Sequence, residues 1–430
     1  MKDAGRTNSR SAAARIIARW LSTGEFPDRL IEAGTQDRAF VMEVVYGVAR
    51  WKRTLEWVIQ RCVPSGRVSA EAKPFLMTGL YQILMMESVV AYAAVSETVE
   101  AAKSGPAAAV GFVNAVLRRV LREKAAILDE LSREPLGTRE SHPDALVTDW
   151  IARFGEGRAE ALCRWDNTRP DVTIRANVPR TTTDALAAAM KAAGVDVQPH
   201  PFAPSGCLIV PHGRRVDALP GYAEGLFSVQ DPSTTAAVDL LDPRPGETVL
   251  DACAAPGGKT VLIVERMKGE GRLIAMDLHE DRLAVLRENI ARLALAGVTV
   301  VQGDAAATEG IRKAVGGVAF DRILLDVPCS NTGVLRRRPD ARWRFSQERL
   351  TELLSTQWAM LEEAAASLKP GGRLVYSTCS LQSEEGEEII RAWLKDQPDF
   401  VLERQVTLFP PETRTDGIYA AALSRLTAGG

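Results

Sequence analysis

Thr248-Val-Leu-Asp-Ala-Cys-Ala-Ala-Pro-Gly-Gly-Lys-Thr260 is the stretch on which the fold turns. Thr248, Leu250 and Ala252 belong to an apolar strand, and Pro256-Gly257-Gly258 forms a tight turn that opens a helix. The same strand-then-helix alternation continues downstream. Leu273–Asp277 reads as a strand with His279–Leu295 as its helix, followed by a strand at Val298–Val301 and a buried one at Phe320–Val327. Leu350–Leu368 is a long helix ended by Pro370-Gly371-Gly372. Leu374–Thr378 is the next strand, and an acidic helix begins at Glu384. Strands alternating with helices mean βαβ units on a parallel sheet, an α/β fold.

Ligands of such sheets bind outside the carboxyl ends of the strands. Four successive strand ends carry an acid: Asp251, Asp277, Asp304 and Asp326. One acid alone there is more often a helix N-cap than a ligand contact. Four in register fit a ligand with hydroxyls and amino groups, and they disfavour a polyphosphate. Asp277, closing the second strand, takes the ribose-hydroxyl position. A P-loop would put its first glycine where Cys253 stands, and the spacing G-x-G-x-x-G is missing. Gly257 and Gly258 instead let backbone approach a ligand closely.

Upstream the pattern changes. Residues 1–135 read as helices throughout, with apolar positions such as Phe40, Val44, Val45 and Val48 three and four apart. Gly66, Pro74, Gly105 and Pro106 punctuate the run, as in a helical bundle. Residues 136–145 read as a linker and 146–230 as a small α+β unit. That unit has strands at Val172–Val178 and Gly206–Val210 and a helix at Thr183–Ala193. The catalytic sheet occupies 231–430. Three parts suit 430 residues at roughly 150 per domain.

Composition is that of globular domains, 46% hydrophobic and 25% charged, which excludes collagen-like, disordered and disulfide-scaffold chains. The net charge of −2 excludes a basic coat over the whole protein. Locally, residues 1–135 carry 19 Lys and Arg against 15 Asp and Glu. Six scattered cysteines without a C-x-x-C pair argue against a metal knuckle. Free thiols, and an N-terminus interrupted by Lys2, Asp3, Arg6, Arg10, Arg15 and Arg19, point to a reducing, cytoplasmic setting. Its Arg, Ser and Ala content imitates a transit peptide, but a basic first helix is the preferred reading. Thr78–Val95 is the most apolar stretch, and Gln82 and Glu87 deny it a membrane span. The expected protein is a cytoplasmic monomer with no membrane and no metal.

The chemistry is read from two further strand ends. Asp326-Val-Pro-Cys329 closes the fourth strand and Ser377-Thr-Cys-Ser380 the next. Isolated buried cysteines are usually inert filler, but two of them stand at the functional rim. A thiolate adding to carbon 6 of a pyrimidine makes carbon 5 nucleophilic, and a carboxyl group at the ring N3 assists. The rim supplies thiol and carboxyl for a base taken out of its stack. Spacing alone leaves open which cysteine attacks. Arg336, Arg337, Arg338, Arg342 and Arg344, with Trp343 and Phe345, follow the fourth strand. They are the expected RNA contacts, arginine for phosphate and aromatics for bases, against the alternative of a solvated loop over buried aromatics.

Asp251 to Thr260, Asp326-x-Pro-Cys-Ser330 and Ser377-Thr-Cys-Ser380 resemble the Sun/Fmu-type (RsmB-like) ribosomal RNA cytosine-5 methyltransferases. Phe227-Ser-Val-Gln-Asp-Pro-Ser233 and Asp416-Gly-Ile-Tyr-Ala-Ala-Ala-Leu423 fit that family as well. Asp37-Arg-Ala-Phe40, Val45-Tyr-Gly-Val-Ala-Arg50, Ala94-Val-Ser-Glu-Thr-Val-Glu100 and Phe112-Val-Asn-Ala-Val-Leu-Arg-Arg119 resemble a NusB-type RNA-binding domain. The resemblance covers almost the whole chain. It implies a Rossmann-like class I methyltransferase domain preceded by an all-α NusB-like bundle and a small RNA-recognition-like domain. It further implies S-adenosylmethionine as donor and RNA, small-subunit (16S) ribosomal RNA, as substrate. Cys379 would be the nucleophile, Cys329 would assist product release, and Asp326 and Lys259 would complete the catalytic set. Cys253, Ala254, Ala255, Pro256, Gly257, Gly258, Lys259, Asp277, Arg282, Asp304 and Asp326 would line the cofactor pocket.

Two departures stand out. Arg338 replaces the family's histidine before Pro339-Asp340, and Ser383-Glu384-Glu385-Gly386 replaces Pro-Glu-Glu-Asn. The competing class is an RNA-binding assembly factor with a silent methyltransferase fold, against which Asp326, Cys329 and Cys379 stand intact. A nicotinamide dehydrogenase lacks its glycine fingerprint.

Overall fold

The computed structural model describes residues 8–427 except 33, 65 and 66. Lys2, Asp3 and Arg6 of the basic N-terminus and the break at Gly66 lie outside the described residues. Two compact units result. One comprises Met1–Thr168 with Leu335–Phe345, the other Arg169–Val334 with Ser346–Gly430.

The first unit is helical. Its opening helix Ser9–Thr23 starts on the Asn8 side chain, which accepts from the Arg10 N–H, and stops at Gly24 in the left-handed region. Helix Arg38–Cys62 buries Val41, Val44, Val45, Val48, Leu55, Val58 and Ile59, the stripe expected of one face. Helices Ala72–Met85, Ala91–Ala102 and Ala107–Ser132 share one core with it. Residues 136–145 differ from a linker: Leu136–Arg139 is helical and His142 is fully buried. Helices Asp144–Phe154 and Glu156–Asp166 also group with this unit, so the compact boundary falls at Thr168. Trp150 and Leu162 are fully buried and hold these helices in place.

The second unit contains two sheets. The smaller is antiparallel, with β1 Val172–Ala176, β2 Gln198–Pro199, β3 Cys207–Val210 and β4 Phe227–Val229 in the order β2-β3-β1-β4. Helix Thr183–Ala192 packs Leu186 and Met190 into its core. The larger sheet has β5 Thr248–Ala252, β6 Arg272–Asp277, β7 Val298–Gln302, β8 Phe320–Asp326, β9 Leu368–Thr378, β10 Phe400–Leu408 and β11 Ile418–Arg425. Its order is β10-β11-β9-β8-β5-β6-β7. The strands β5 to β9 run parallel, and β11 pairs antiparallel with β9 and β10. The expectation of a parallel sheet is thus extended by an antiparallel edge pair. From β5 the chain winds outward through β6 and β7, then returns to the other side of β5 with β8 and β9. The crevice between β5 and β8 is the topological switch point. Within the unit, the Arg175 guanidinium pairs with Glu265 at 2.5 Å, and Asn177 donates to the Gly225 and Leu293 carbonyls. The small sheet is therefore tied to two helices of the larger one.

Among the described residues no helix is long and apolar enough to cross a membrane.

Candidate active site

The turn after β5 is shaped by Gly257, whose φ of +108° L side chains rarely adopt. A Cβ there would lie 2.7 Å from Leu286 Cδ1. Beyond it helix Gly258–Arg266 begins. Beneath the turn Asp251 is fully buried, its Oδ2 accepting from the Thr260 hydroxyl at 2.6 Å. Burial pushes its pKa up to about 7, against the Thr260 bond and the Lys259 charge. Asp277, at the end of β6, accepts from the Ala255 N–H at 3.2 Å and the His279 N–H at 3.2 Å. Arg282 reaches it at 3.3 Å. Asp304, after β7, accepts from the Ala306 N–H. Cys253 has its thiol pushed up to about 12, by burial first and then by Asp277 and Asp326, so it stays protonated at neutral pH. These residues ring the ends of β5, β6 and β7.

The two cysteines are brought together. Cys329 Sγ and Cys379 Sγ lie 3.1 Å apart. Parallel pairing of β8 with β9 sets Asp326 opposite Ser377, so each cysteine leaves its strand at the same level. Lys259 Nζ donates to Asp326 Oδ2 at 2.7 Å. Burial opposes the Lys259 charge, but Asp326 outweighs it and the pKa rises. The Cys379 thiol is raised well above its ordinary value by the hydrogen bond with Cys329, then by burial and by Asp326, with Lys259 opposing. In keeping with a protonated resting state, the Cys379 thiol donates to Asn331 Oδ1 at 3.5 Å. Cys379 is the more exposed of the pair.

Other residues, which sequence reasoning missed, hold these loops. Asn331 Nδ2 donates to the Cys329 carbonyl. Gly333 donates to the Cys379 carbonyl at 2.8 Å, and a Cβ on it would meet that oxygen at 2.7 Å and the Gly417 carbonyl at 2.6 Å. Glu385 is fully buried against Ser330 and Gln357. The run Glu384–Glu388 signals a solvated face in sequence, so nothing there marks one member as buried.

The arginine segment corrects the expectation of an RNA surface. It belongs to the first unit, and Arg342 is 0% exposed. Its guanidinium donates to the carbonyls of Arg50, Ser141 and Asp166 and to Asn167 Oδ1. Burial lowers its pKa to about 10. Arg336 is buried and stacks on Trp165 at 4.2 Å, while its carbonyl accepts from Arg50. Arg344 pairs with Asp340 and lies over Phe26. Trp343 donates its indole N–H to the Ala49 carbonyl. These side chains serve the interior of the helical unit. Arg337 is part-buried and Arg338 is exposed.

Among the described residues, no group of three or more His, Cys, Asp and Glu is arranged to hold a metal ion.

Sequence comparison finds three family profiles in order along the chain. Residues 7–122 match the NusB family, 142–216 a ferredoxin-like domain of the RsmF/B-like methyltransferases, and 238–424 the family described as 16S rRNA methyltransferase RsmB/F. The chain is 34% identical to ribosomal RNA small subunit methyltransferase B of Pseudomonas putida, covering 98% of this chain and 99% of that protein. It is likewise 34% identical to the probable ribosomal RNA small subunit methyltransferase B of Bacillus subtilis, over 86% of this chain and 82% of the relative. Among solved structures, a methyltransferase homolog protein from Pyrococcus horikoshii is similar at TM-score 0.58 and 27% identity, over 68% of this chain and 98% of that one.

Proposed function

The chain belongs to the 16S rRNA methyltransferase RsmB/F family, and from that premise we propose that it methylates carbon 5 of a cytosine in small-subunit ribosomal RNA. The donor is S-adenosylmethionine, and the reaction runs through a covalent cysteine–cytosine intermediate. The observation that carries this reading is the pair of thiols 3.1 Å apart beside the Lys259–Asp326 ion pair.

The residues fit the donor. Both cations of the rim are matched by carboxylates, Lys259 by Asp326 and Arg282 by Asp277, so neither is left to hold a polyphosphate. Asp277 would hold the ribose hydroxyls, Asp304 the adenine amino group, and the backbone of Cys253–Lys259 the remainder. When bound, S-adenosylmethionine supplies an electrophilic methyl group on a sulfonium.

The protein's own residues prepare the base. Cys379 gives up its proton to solvent, and the electron pair of the resulting thiolate forms the bond to carbon 6. The carbon 5–carbon 6 electrons are then directed onto carbon 5, and Asp326, carrying a proton in this step, donates it toward N3 as charge develops there. Lys259 holds Asp326 in place and favours the Cys379 thiolate. Once carbon 5 carries the methyl group, its proton passes to a water molecule, the C–H electron pair restores the double bond, and the carbon 6–sulfur bond breaks to release Cys379 as the thiolate. Cys329, next to that sulfur, assists the release.

Single substitutions with labelled donor and unmodified small-subunit ribosomal RNA test the assignment. Cys379→Ala is expected to be inactive and to form no protein–RNA adduct, whereas Cys329→Ala accumulates one on a denaturing gel. An adduct that depends on Cys329 overturns the roles. RNA binding without methyl incorporation by the unaltered protein overturns the activity.

A further inference from the structure

We propose that Glu385 is a positioning residue that sets the separation of the two thiols. The inference rests on the proposed reaction and goes beyond it.

The carboxyl group of Glu385 is fully buried and met by donors on the cysteine loops. Its Oε1 accepts from the Ser330 N–H at 2.9 Å and from Gln357 Nε2 at 3.0 Å, and its Oε2 accepts from the Ser330 hydroxyl. Gln357 Nε2 also donates to the Pro328 carbonyl at 2.9 Å. Both chain neighbours of Cys329 are therefore held, Ser330 directly and Pro328 through the amide of Gln357. The Tyr376 hydroxyl shares its one proton between Gln357 Oε1 at 3.0 Å and the Glu385 carbonyl at 2.8 Å, which favours that orientation of the amide.

The link to the second thiol runs through hydroxyls. Ser330 Oγ lies 3.0 Å from Ser380 Oγ, which lies 3.0 Å from Thr332 Oγ1. A carboxylate only accepts, so the Ser330 proton is committed to Glu385. Ser330 must then accept from Ser380, and Ser380 from Thr332 and the Gln382 N–H. Thr332 in turn accepts from the Leu381 N–H. Every hydroxyl in the chain points one way, toward Glu385, and Ser380 directly follows Cys379. One buried acceptor thus orders the loops on both sides of the thiol pair. An alanine leaves the Ser330 N–H and O–H without their buried acceptor, and the loops can separate. A glutamine keeps the Oε1 bonds but opposes the hydroxyl direction.

The test uses full-length wild type, Glu385→Ala and Glu385→Gln. Thiol geometry is read without RNA, from the rate of Cys329–Cys379 disulfide formation with diamide. Its N=N bond takes up the two electrons and two protons that the thiols release. Activity is read as single-turnover methyl transfer to unmodified small-subunit ribosomal RNA. Because a displacement of about 1 Å can cost on the order of a hundredfold in rate, Glu385→Ala is expected to lose at least about tenfold in both disulfide formation and methyl transfer. The KM for the donor should stay within about twofold, and Glu385→Gln should fall between the two. Disulfide formation by Glu385→Ala at the wild-type rate overturns the proposal, as does a loss confined to donor KM. If Glu385→Ala fails to fold, Ser380→Ala, which cuts the hydroxyl link together with the Gln382 N–H bond to Ser380 Oγ, carries the same comparison with the same two outcomes. A wild type that incorporates no methyl removes the proposed reaction, while the disulfide rates still decide the role of Glu385.

Discussion

Cys379 is held in the state least suited to attack. Its hydrogen bond with Cys329, its burial and the nearby Asp326 all favour the thiol, and Lys259 alone works the other way. If the thiolate is the attacking form, a raised pKa makes it scarce at neutral pH and more abundant as pH rises. The single-turnover rate should therefore climb about tenfold per pH unit from pH 6.5 toward 8.5, read by rapid-quench assay, and a flat profile counts against thiolate attack. Lys259→Met removes the opposing cation, so its profile should shift to higher pH. At this scale Cys329, Cys379 and Asp326 could be read from sequence, because strand ends of a parallel sheet converge. Glu385 could not: its burial depends on Ser330 and Gln357, which are 55 and 28 residues away along the chain.

The β5–turn–helix element carries a carboxyl under strain of solvation. Asp251 is fully buried with Thr260 as its hydroxyl partner, and its pKa stands at about 7 in the folded chain. An unfolded aspartate titrates near 3.9. Between those values the folded state holds the proton more tightly, so stability falls as pH rises through about 4 to 7 and is level above. The loss is on the order of 4 kcal/mol across the window. Asp251→Asn keeps an acceptor for Thr260 and has no proton to lose. It should melt above the wild type at pH 8, with the difference shrinking at pH 5, and an unchanged gap in calorimetry refutes the assignment. The parallel strands of this sheet announce themselves because they are buried on both faces and read as apolar runs. The edge strand β10 does not. Its residues Val401–Gln405 are all exposed and include Glu403 and Arg404, the charged composition that protects a sheet edge and conceals it from hydrophobic pattern.

Across the molecule, the helical unit is completed by residues far along the chain. Arg342 satisfies three backbone carbonyls and Asn167 in its interior. Arg342→Ala should lower stability by about 3 kcal/mol, since buried acceptors lose their donor, with the loss read in urea denaturation. A change under about 0.5 kcal/mol, the range of ordinary surface substitutions, would show the contacts to be incidental. The three-part organisation was visible in sequence because helical and strand periodicities differ. The membership of Leu335–Phe345 was not, because an arginine bonded to carbonyls has the same letters as one in water. That membership also imposes an order in time. A ribosome delivers Arg50, Ser141 and Asn167 long before Arg342, and β5 to β8 emerge in between. The core between Ala13 and Ile127 can therefore be buried early, whereas the carbonyls that Arg342 meets stay with water until most of the chain has been translated.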